Sequence, residues 1–145
     1  MKYTISNVIN KPLALCHKTI TDHEAAKHWM EGLQRIEHVS GNPGEEGAKS
    51  DIYFLHKNKE LIIKETILEQ NLPRQIKFAY DSPMGSNVVE LKFEEISENQ
   101  VKQTNTTEMK MKGFMKILGP LFKGMMKKQS YIYLNGFKDY VESLD

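Results

Sequence analysis

The pattern of apolar and polar positions is most regular in the last third of the chain. Apolar side chains recur there three and four residues apart, which is the spacing of one face of an α-helix. The stripe consists of Phe114, Ile117, Leu118, Leu121, Phe122, Met125, Met126, Ile132, Tyr133, Phe137, Tyr140 and Leu144. Proline is tolerated in the first turn of a helix, so Gly119-Pro120 marks the expected start. The pattern predicts a helix over roughly residues 120–143 that buries this stripe against a broad apolar surface.

The preceding residues read mostly as short strands. A first strand over residues 2–10 is followed by two short helices, at residues 13–20 and 21–31, and by a short strand at residues 36–40. Five further strands are predicted at residues 50–56, 61–69, 75–80, 88–96 and 101–111. Connections of three to six residues favour antiparallel hairpins, because parallel crossovers need a dozen or more. The prediction is one α+β domain over residues 1–145, with an antiparallel sheet of about six or seven strands around the C-terminal helix.

Several polar residues fall on strand faces that are otherwise apolar. They are Glu65 on one strand, and Gln103, Asn105 and Thr107 on the last. A buried polar group without a partner costs on the order of 1–3 kcal/mol. A cavity that holds water or a ligand would relieve this cost, so the pattern predicts a cavity between the sheet and the helix.

Composition narrows the possible functions. The 145 residues carry a formal net charge of +1, which gives no overall field to attract nucleic acid. The single Cys16 excludes an internal disulfide, and no apolar run is long enough for a signal peptide or a transmembrane segment, so we expect a cytoplasmic protein. The five histidines lack metal-ligand spacing, and Gly41, Gly44 and Gly47 form no phosphate-binding fingerprint. We therefore expect no metal and no cofactor.

Local signatures occur in a particular order along the chain. They are the opening strand before Lys11-Pro12, then His28-Trp29-Met30, Gly44-Glu45-Glu46-Gly47, Ile67-Leu68-Glu69 with Leu72-Pro73-Arg74, and the ending at residues 134–142. In this order they resemble the START/Bet v 1-like (SRPBCC) superfamily, in particular bacterial polyketide cyclase/dehydrase-type ligand-binding proteins. The resemblance implies a helix-grip fold, in which a curved sheet grips the C-terminal helix around an apolar cavity. Function stays open, because members bind lipids and hormones, cyclise polyketides or serve as protein partners.

Three functions compete at this point. The first is the binding, transport or sequestration of a small hydrophobic or amphipathic ligand, whose polar end Glu65 and Tyr80 would orient. The predicted lining is Trp29, Phe54, Glu65, Phe78, Tyr80, Met109, Met111, Leu118, Phe122 and Met125. The second is a cyclase/aromatase-like enzyme with Glu65, Tyr80 or His28 as acid or base. The third is an interaction module with a protein partner or a second copy. No catalytic motif is present, which favours the first.

The charged and methionine-rich segment 109–128 allows two interpretations. Met109, Met111, Met115, Met125 and Met126 would form an adaptable pocket wall or ordinary core packing. A membrane-surface helix or the solvated side of a core-facing helix would account for Lys112, Lys116, Lys123, Lys127 and Lys128. The stripe continues to Leu144, so the sequence favours the core-facing helix.

Overall fold

The chain forms one antiparallel sheet, two short helices and a long C-terminal helix. A computed structural model describes residues 1–111 and 113–145, with backbone only at Phe114 and Met115. The elements are β1 (Lys2–Ile9), α1 (Leu13–Ile20), α2 (His23–Trp29), β2 (Leu33–Ser40), β3 (Lys49–His56), β4 (Lys59–Asn71), β5 (Gln75–Ser82), β6 (Gly85–Ser97), β7 (Gln100–Met111), a 3₁₀ turn (Gly113–Lys116) and α3 (Gly119–Ser143). The predictions for Lys112, Phe114 and Met115 lie outside the described backbone or side chains.

The seven strands follow the order β1-β7-β6-β5-β4-β3-β2, and every neighbouring pair is antiparallel. Short turns fix the register of the hairpins. Between β3 and β4, for example, Lys57 and Asn58 both have positive φ, which is the conformation of a type I′ turn. The predicted fold class, a helix-grip α+β fold with two short helices after β1, is confirmed.

The boundaries of α2 follow local capping and a glycine turn. The Asp22 side chain accepts hydrogen bonds from the backbone N–H groups of Glu24 and Ala25, and so begins α2. The helix ends at Trp29, because Gly32 in the left-handed region turns the chain into β2. The prediction of helix up to Glu31 was therefore two residues too long, and β2 begins three residues earlier than expected.

The C-terminal half of α3 carries most of the helix burial. Leu134, Phe137 and Val141 are buried, and the helix makes its main contacts with β1, β7, α1 and α2. At Gly136 the two helices approach so closely that a Cβ atom would lie 2.7 Å from the Trp29 carbonyl oxygen. Glycine at this position therefore permits the contact between α2 and α3.

The N-terminal half of the predicted stripe is not in the core. Ile117, Leu121 and Met125 are 75%, 72% and 63% exposed, and Ile132 is also exposed. In a helix of 3.6 residues per turn, Leu121, Met125 and Ile132 lie along one side, opposite the buried Leu134 and Phe137. The expectation that the whole stripe faces the sheet was wrong, because apolar residues occupy two opposite sides of this helix.

Among the described residues, no helix combines the length and the hydropathy needed to cross a bilayer.

Candidate ligand-binding site

The predicted pair Glu65 and Tyr80 lies on the inner face of the sheet. The two residues are directly opposite each other on β4 and β5, and the Tyr80 hydroxyl donates a hydrogen bond to the Glu65 carboxylate. Ser50 on β3 pairs with Glu65, and Asn87 on β6 pairs with Tyr80. These four residues form a row across four strands, which we call the polar row.

Burial changes the proton affinity of both members of the pair. It raises the pKa of Glu65 above the ordinary 4.5, and the hydrogen bond from Tyr80 offsets part of this rise. Burial also raises the pKa of Tyr80 well above 10, and the adjacent Glu65 carboxylate adds to this effect. Tyr80 therefore remains a phenol donor at physiological pH, while Glu65 holds its proton to a higher pH than an exposed glutamate does.

Apolar side chains flank the polar row on the same face. One residue pair further along the strands, Ile67, Phe78 and Val89 lie side by side on β4, β5 and β6. Phe78 and Tyr80 have ring centroids 5.6 Å apart, and both remain half-buried. The main contacts of α3 are with β1 and β7, so the middle strands keep partly accessible inner faces. This arrangement leaves the inner faces of the middle strands partly uncovered by α3.

Aromatic side chains form a cluster at one end of this face. The Trp29 and Phe137 rings meet edge to face with centroids 5.1 Å apart, and the Phe93 and Phe137 ring centroids are 6.0 Å apart. The ring centroids of the buried Phe54 and of Tyr133 are 6.3 Å apart. Burial raises the pKa of the Tyr133 hydroxyl. Trp29 and Phe54, two of the residues predicted to line the cavity, thus belong to this aromatic cluster, and Tyr133 joins them from α3.

Methionines and the start of α3 form the other end. Met109 is buried with Tyr3 and Leu134, and Met111 packs on the same cluster. Leu118 and Phe122 are half-buried near the start of the helix. The predicted lining residue Met125 is placed differently, because it lies on the solvent side of α3.

The inward polar residues of β7 are only partly hydrogen-bonded. Gln103 and Thr107 are buried, and the Thr107 hydroxyl donates a 2.7 Å hydrogen bond to the Asn105 side chain. The Asn7 amide nitrogen donates to the backbone oxygen of Leu134, but the buried side-chain oxygens of Asn7 and Gln103 have no hydrogen-bond partner in the described part of the chain. Asn7 and Gln103 are opposite each other on β1 and β7. Two acceptors at one place suit a bound water or a ligand donor.

A wide shallow trough of about 730 Å³ runs across strands β2 to β7. Its lining includes all four residues of the polar row together with neighbouring residues, among them the charged Lys64, Asp81, Glu108 and Lys110. Because neighbouring residues of a strand point to opposite faces, these charged side chains lie on the face opposite the polar row. We place the candidate site on the face of the polar row, where the apolar side chains also lie.

The other predicted chemical groups do not converge. His28, the third candidate acid or base, stacks on Tyr140 with ring centroids 5.3 Å apart, and Glu24 of the same helix forms an ion pair with Lys27. Within the described residues, no three His, Cys, Asp or Glu side chains gather as metal ligands do. Asn87 and Ser50 were missed by the sequence prediction. The alternation of Val89, Leu91 and Phe93, extended by one step, points to Asn87.

The sheet, the two short helices and the gripped C-terminal helix define a Bet v 1/SRPBCC-type fold. Solved structures with this fold match nearly the whole chain. The Zhui aromatase/cyclase from Streptomyces sp. R1128 matches with a TM-score of 0.83 at 9% identity, over 98% of this chain and 93% of that chain. Ara h 8.0201 matches with a TM-score of 0.79 at 15% sequence identity, over 99% of both chains. SA2116 of Staphylococcus aureus, a protein of unknown function, matches with a TM-score of 0.79 at 15% sequence identity, over 99% of this chain and 94% of that chain. These identities show a shared fold and not a shared function. No protein-family model and no curated protein matches the sequence.

Proposed function

We propose that the protein binds a small amphipathic molecule between α3 and the inner face of β4, β5 and β6. The observation that supports this most directly is the polar row on a face that is otherwise apolar and partly accessible. Ligand sites commonly combine an apolar lining with a few placed polar groups. Carrier function, as transport or sequestration, follows from a site that has binding groups and no catalytic motif.

The chemistry of the polar row narrows the ligand. The Tyr80 proton is already donated to Glu65, so the remaining carboxylate lone pairs of Glu65 accept a further donor. A hydroxyl or an amide N–H on the ligand supplies such a donor. The flanking Ile67, Phe78 and Val89 contact an apolar ring or chain. The proposed ligand is therefore apolar with one hydrogen-bonding end.

The test is a titration with a fluorescent naphthalene sulfonate, followed by displacement with fatty acids, fatty alcohols and aromatic alcohols. Val89→Phe narrows the space on the inner face and is expected to weaken binding at least about tenfold, which corresponds to about 1.4 kcal/mol. Val88→Phe is the matched control, because neighbouring residues of a strand point to opposite faces. Equal affinity in both variants, or no saturable binding to the wild type, would contradict the proposal.

The polar contact is tested separately with Glu65→Gln and Tyr80→Phe. We expect both variants to bind alcohols less well while binding of a matched hydrocarbon is unchanged, because only the polar end loses a partner. Glu94→Gln, at an exposed position of β6, is the control. Equal losses for alcohol and hydrocarbon would show that the variants distort the site instead of removing a specific contact.

A second candidate is an enzyme that closes rings as an aromatase/cyclase does. It is favoured by the raised pKa of Glu65, because a carboxyl group that holds its proton nearer neutrality serves better as a general acid or base. The test is incubation with a linear poly-β-ketone and detection of cyclised product by mass spectrometry. Glu65→Gln should abolish the product while probe binding persists. No product above the protein-free rate leaves binding alone as the function.

A further inference from the structure

The exposed side of α3 is apolar and lies in a basic segment. Leu121, Met125 and Ile132 are exposed on this side, and Ile117 is exposed in the turn just before the helix; we call these four residues the apolar ridge. A run of exposed large apolar side chains on one side of a helix commonly marks an interaction surface.

Charge is distributed unevenly around the ridge. Between Glu108 and Asp139 the chain has seven lysines and no acidic residue, whereas the remainder has thirteen Lys and Arg against nineteen Asp and Glu. Lys116, Lys123, Lys127 and Lys128 are all exposed. The segment that carries the ridge is therefore strongly cationic within a chain of net charge +1.

We propose that the apolar ridge and its lysines dock on an anionic lipid bilayer. A helix with exposed apolar residues and neighbouring lysines lies in the interface between lipid head groups and acyl chains, where both parts of it are satisfied. Long lysine side chains reach the head groups while the ridge enters the apolar layer. This docking does not depend on a ligand in the cavity.

A second copy of the chain fits this surface less well. A two-fold dimer through the ridge places the same patch against itself, and so brings together the two copies of Lys128, which lies on the same side of α3 as Leu121 and Met125. Like charges at such a distance repel each other. An anionic membrane instead supplies charge of the opposite sign.

The test is flotation with vesicles of phosphatidylcholine alone and of phosphatidylcholine with phosphatidylglycerol. The wild type should bind only the anionic vesicles, and added salt should weaken binding because it screens the lysines. Lys127→Gln/Lys128→Gln should lower affinity about 30-fold. Leu121→Ser/Met125→Ser should lower it as well, and thereby separate insertion from simple charge attraction.

The matched controls lie on the sheet. Ile62→Ser/Leu68→Ser changes two exposed apolar residues of β4, and Lys57→Gln/Lys59→Gln removes two lysines near the β3–β4 turn. Both controls should bind as the wild type does. Circular dichroism confirms that each variant is folded.

Three results would overturn the proposal. The first is no binding of the wild type to anionic vesicles. The second is equal binding to polyglutamate and to vesicles with no effect of Leu121→Ser/Met125→Ser, which would indicate an acidic protein partner. The third is a dimer in sedimentation analysis that Leu121→Ser/Met125→Ser dissociates, which would place a second copy on the ridge.

Discussion

Replacing Phe137 with alanine removes the ring at the centre of the contact between α3, α2 and the sheet. The ring is 0% exposed, and it packs on Trp29 at 5.1 Å and on Phe93 at 6.0 Å between centroids. Truncating a buried phenylalanine costs about 3–5 kcal/mol, and aromatic pairs contribute to the upper part of this range. With two such pairs, we expect Phe137→Ala to reduce the free energy of unfolding by about 4–5 kcal/mol.

This loss is a large part of the total stability, which for a domain is about 5–15 kcal/mol. The melting temperature should fall by about 8–20 °C, at about 2–4 °C for each kcal/mol. Urea unfolding followed by far-ultraviolet circular dichroism is the suitable assay, because Trp29 fluorescence responds directly to the loss of Phe137. Leu121→Ala is the matched control on the exposed side of α3, and it should stay within about 0.5 kcal/mol of the wild type.

A loss below about 1.5 kcal/mol for Phe137→Ala would refute the reasoning, since it would lie under the range for a buried ring. Equal losses for Phe137→Ala and Leu121→Ala would also refute it. In that case the two sides of α3 would be buried alike, contrary to the packing described above.

Three further predictions concern single sites. Glu65→Gln should flatten the dependence of stability on pH. The stability that comes from the raised Glu65 pKa is fully present below the pKa of this group in the unfolded chain, and it is lost as pH rises through its pKa in the folded protein. The unfolding free energies of wild type and variant should therefore diverge as pH rises above 4.5. Gly136→Ala should destabilise the protein by about 1–3 kcal/mol, because the new Cβ atom meets the Trp29 carbonyl oxygen. Gly124→Ala, in open space on the same helix, should stabilise it by about 0.5–1 kcal/mol in the same urea assay. Burial raises the pKa of Cys16 to about 11, so iodoacetamide at pH 8 should label it only after unfolding, as followed by mass spectrometry.

Local pattern was sufficient to predict most of the fold. Strand alternation and short polar connections predicted the antiparallel sheet, because both are properties of neighbouring residues. The predicted strand ends were too early at Glu69 and Tyr80, where β4 and β5 continue to Asn71 and Ser82. Pairing with a neighbouring strand extends these ends, and a single strand's pattern does not contain that information.

The orientation of α3 was less predictable. Apolar residues occupy both sides of the helix, so periodicity alone did not distinguish the side of Phe137 from the side of Leu121. Only the position of the sheet selects the buried side. The placement of Met125 on the cavity wall failed for this reason.

The candidate site was predicted in part. Glu65 and Tyr80 were each selected as polar residues on apolar strands, but their hydrogen bond depends on the β4–β5 register. That register includes a shift between Ile67 and Glu69, which the sequence pattern does not reveal. Ser50 and Asn87 join the polar row through the same cross-strand pairing.

The uneven burial of α3 also determines how the helix opens. Between Gly119 and Gln129 only Gly119 is buried, whereas Leu134, Phe137 and Val141 anchor the later turns. Segments with few buried contacts open at a lower free energy than the whole molecule unfolds. Amide hydrogens in the early turns should therefore exchange with solvent faster than those near Phe137. Met126 of these early turns packs on the Met109 cluster. For the proposed ligand, a local equilibrium in this helix segment would therefore govern how fast it enters and leaves.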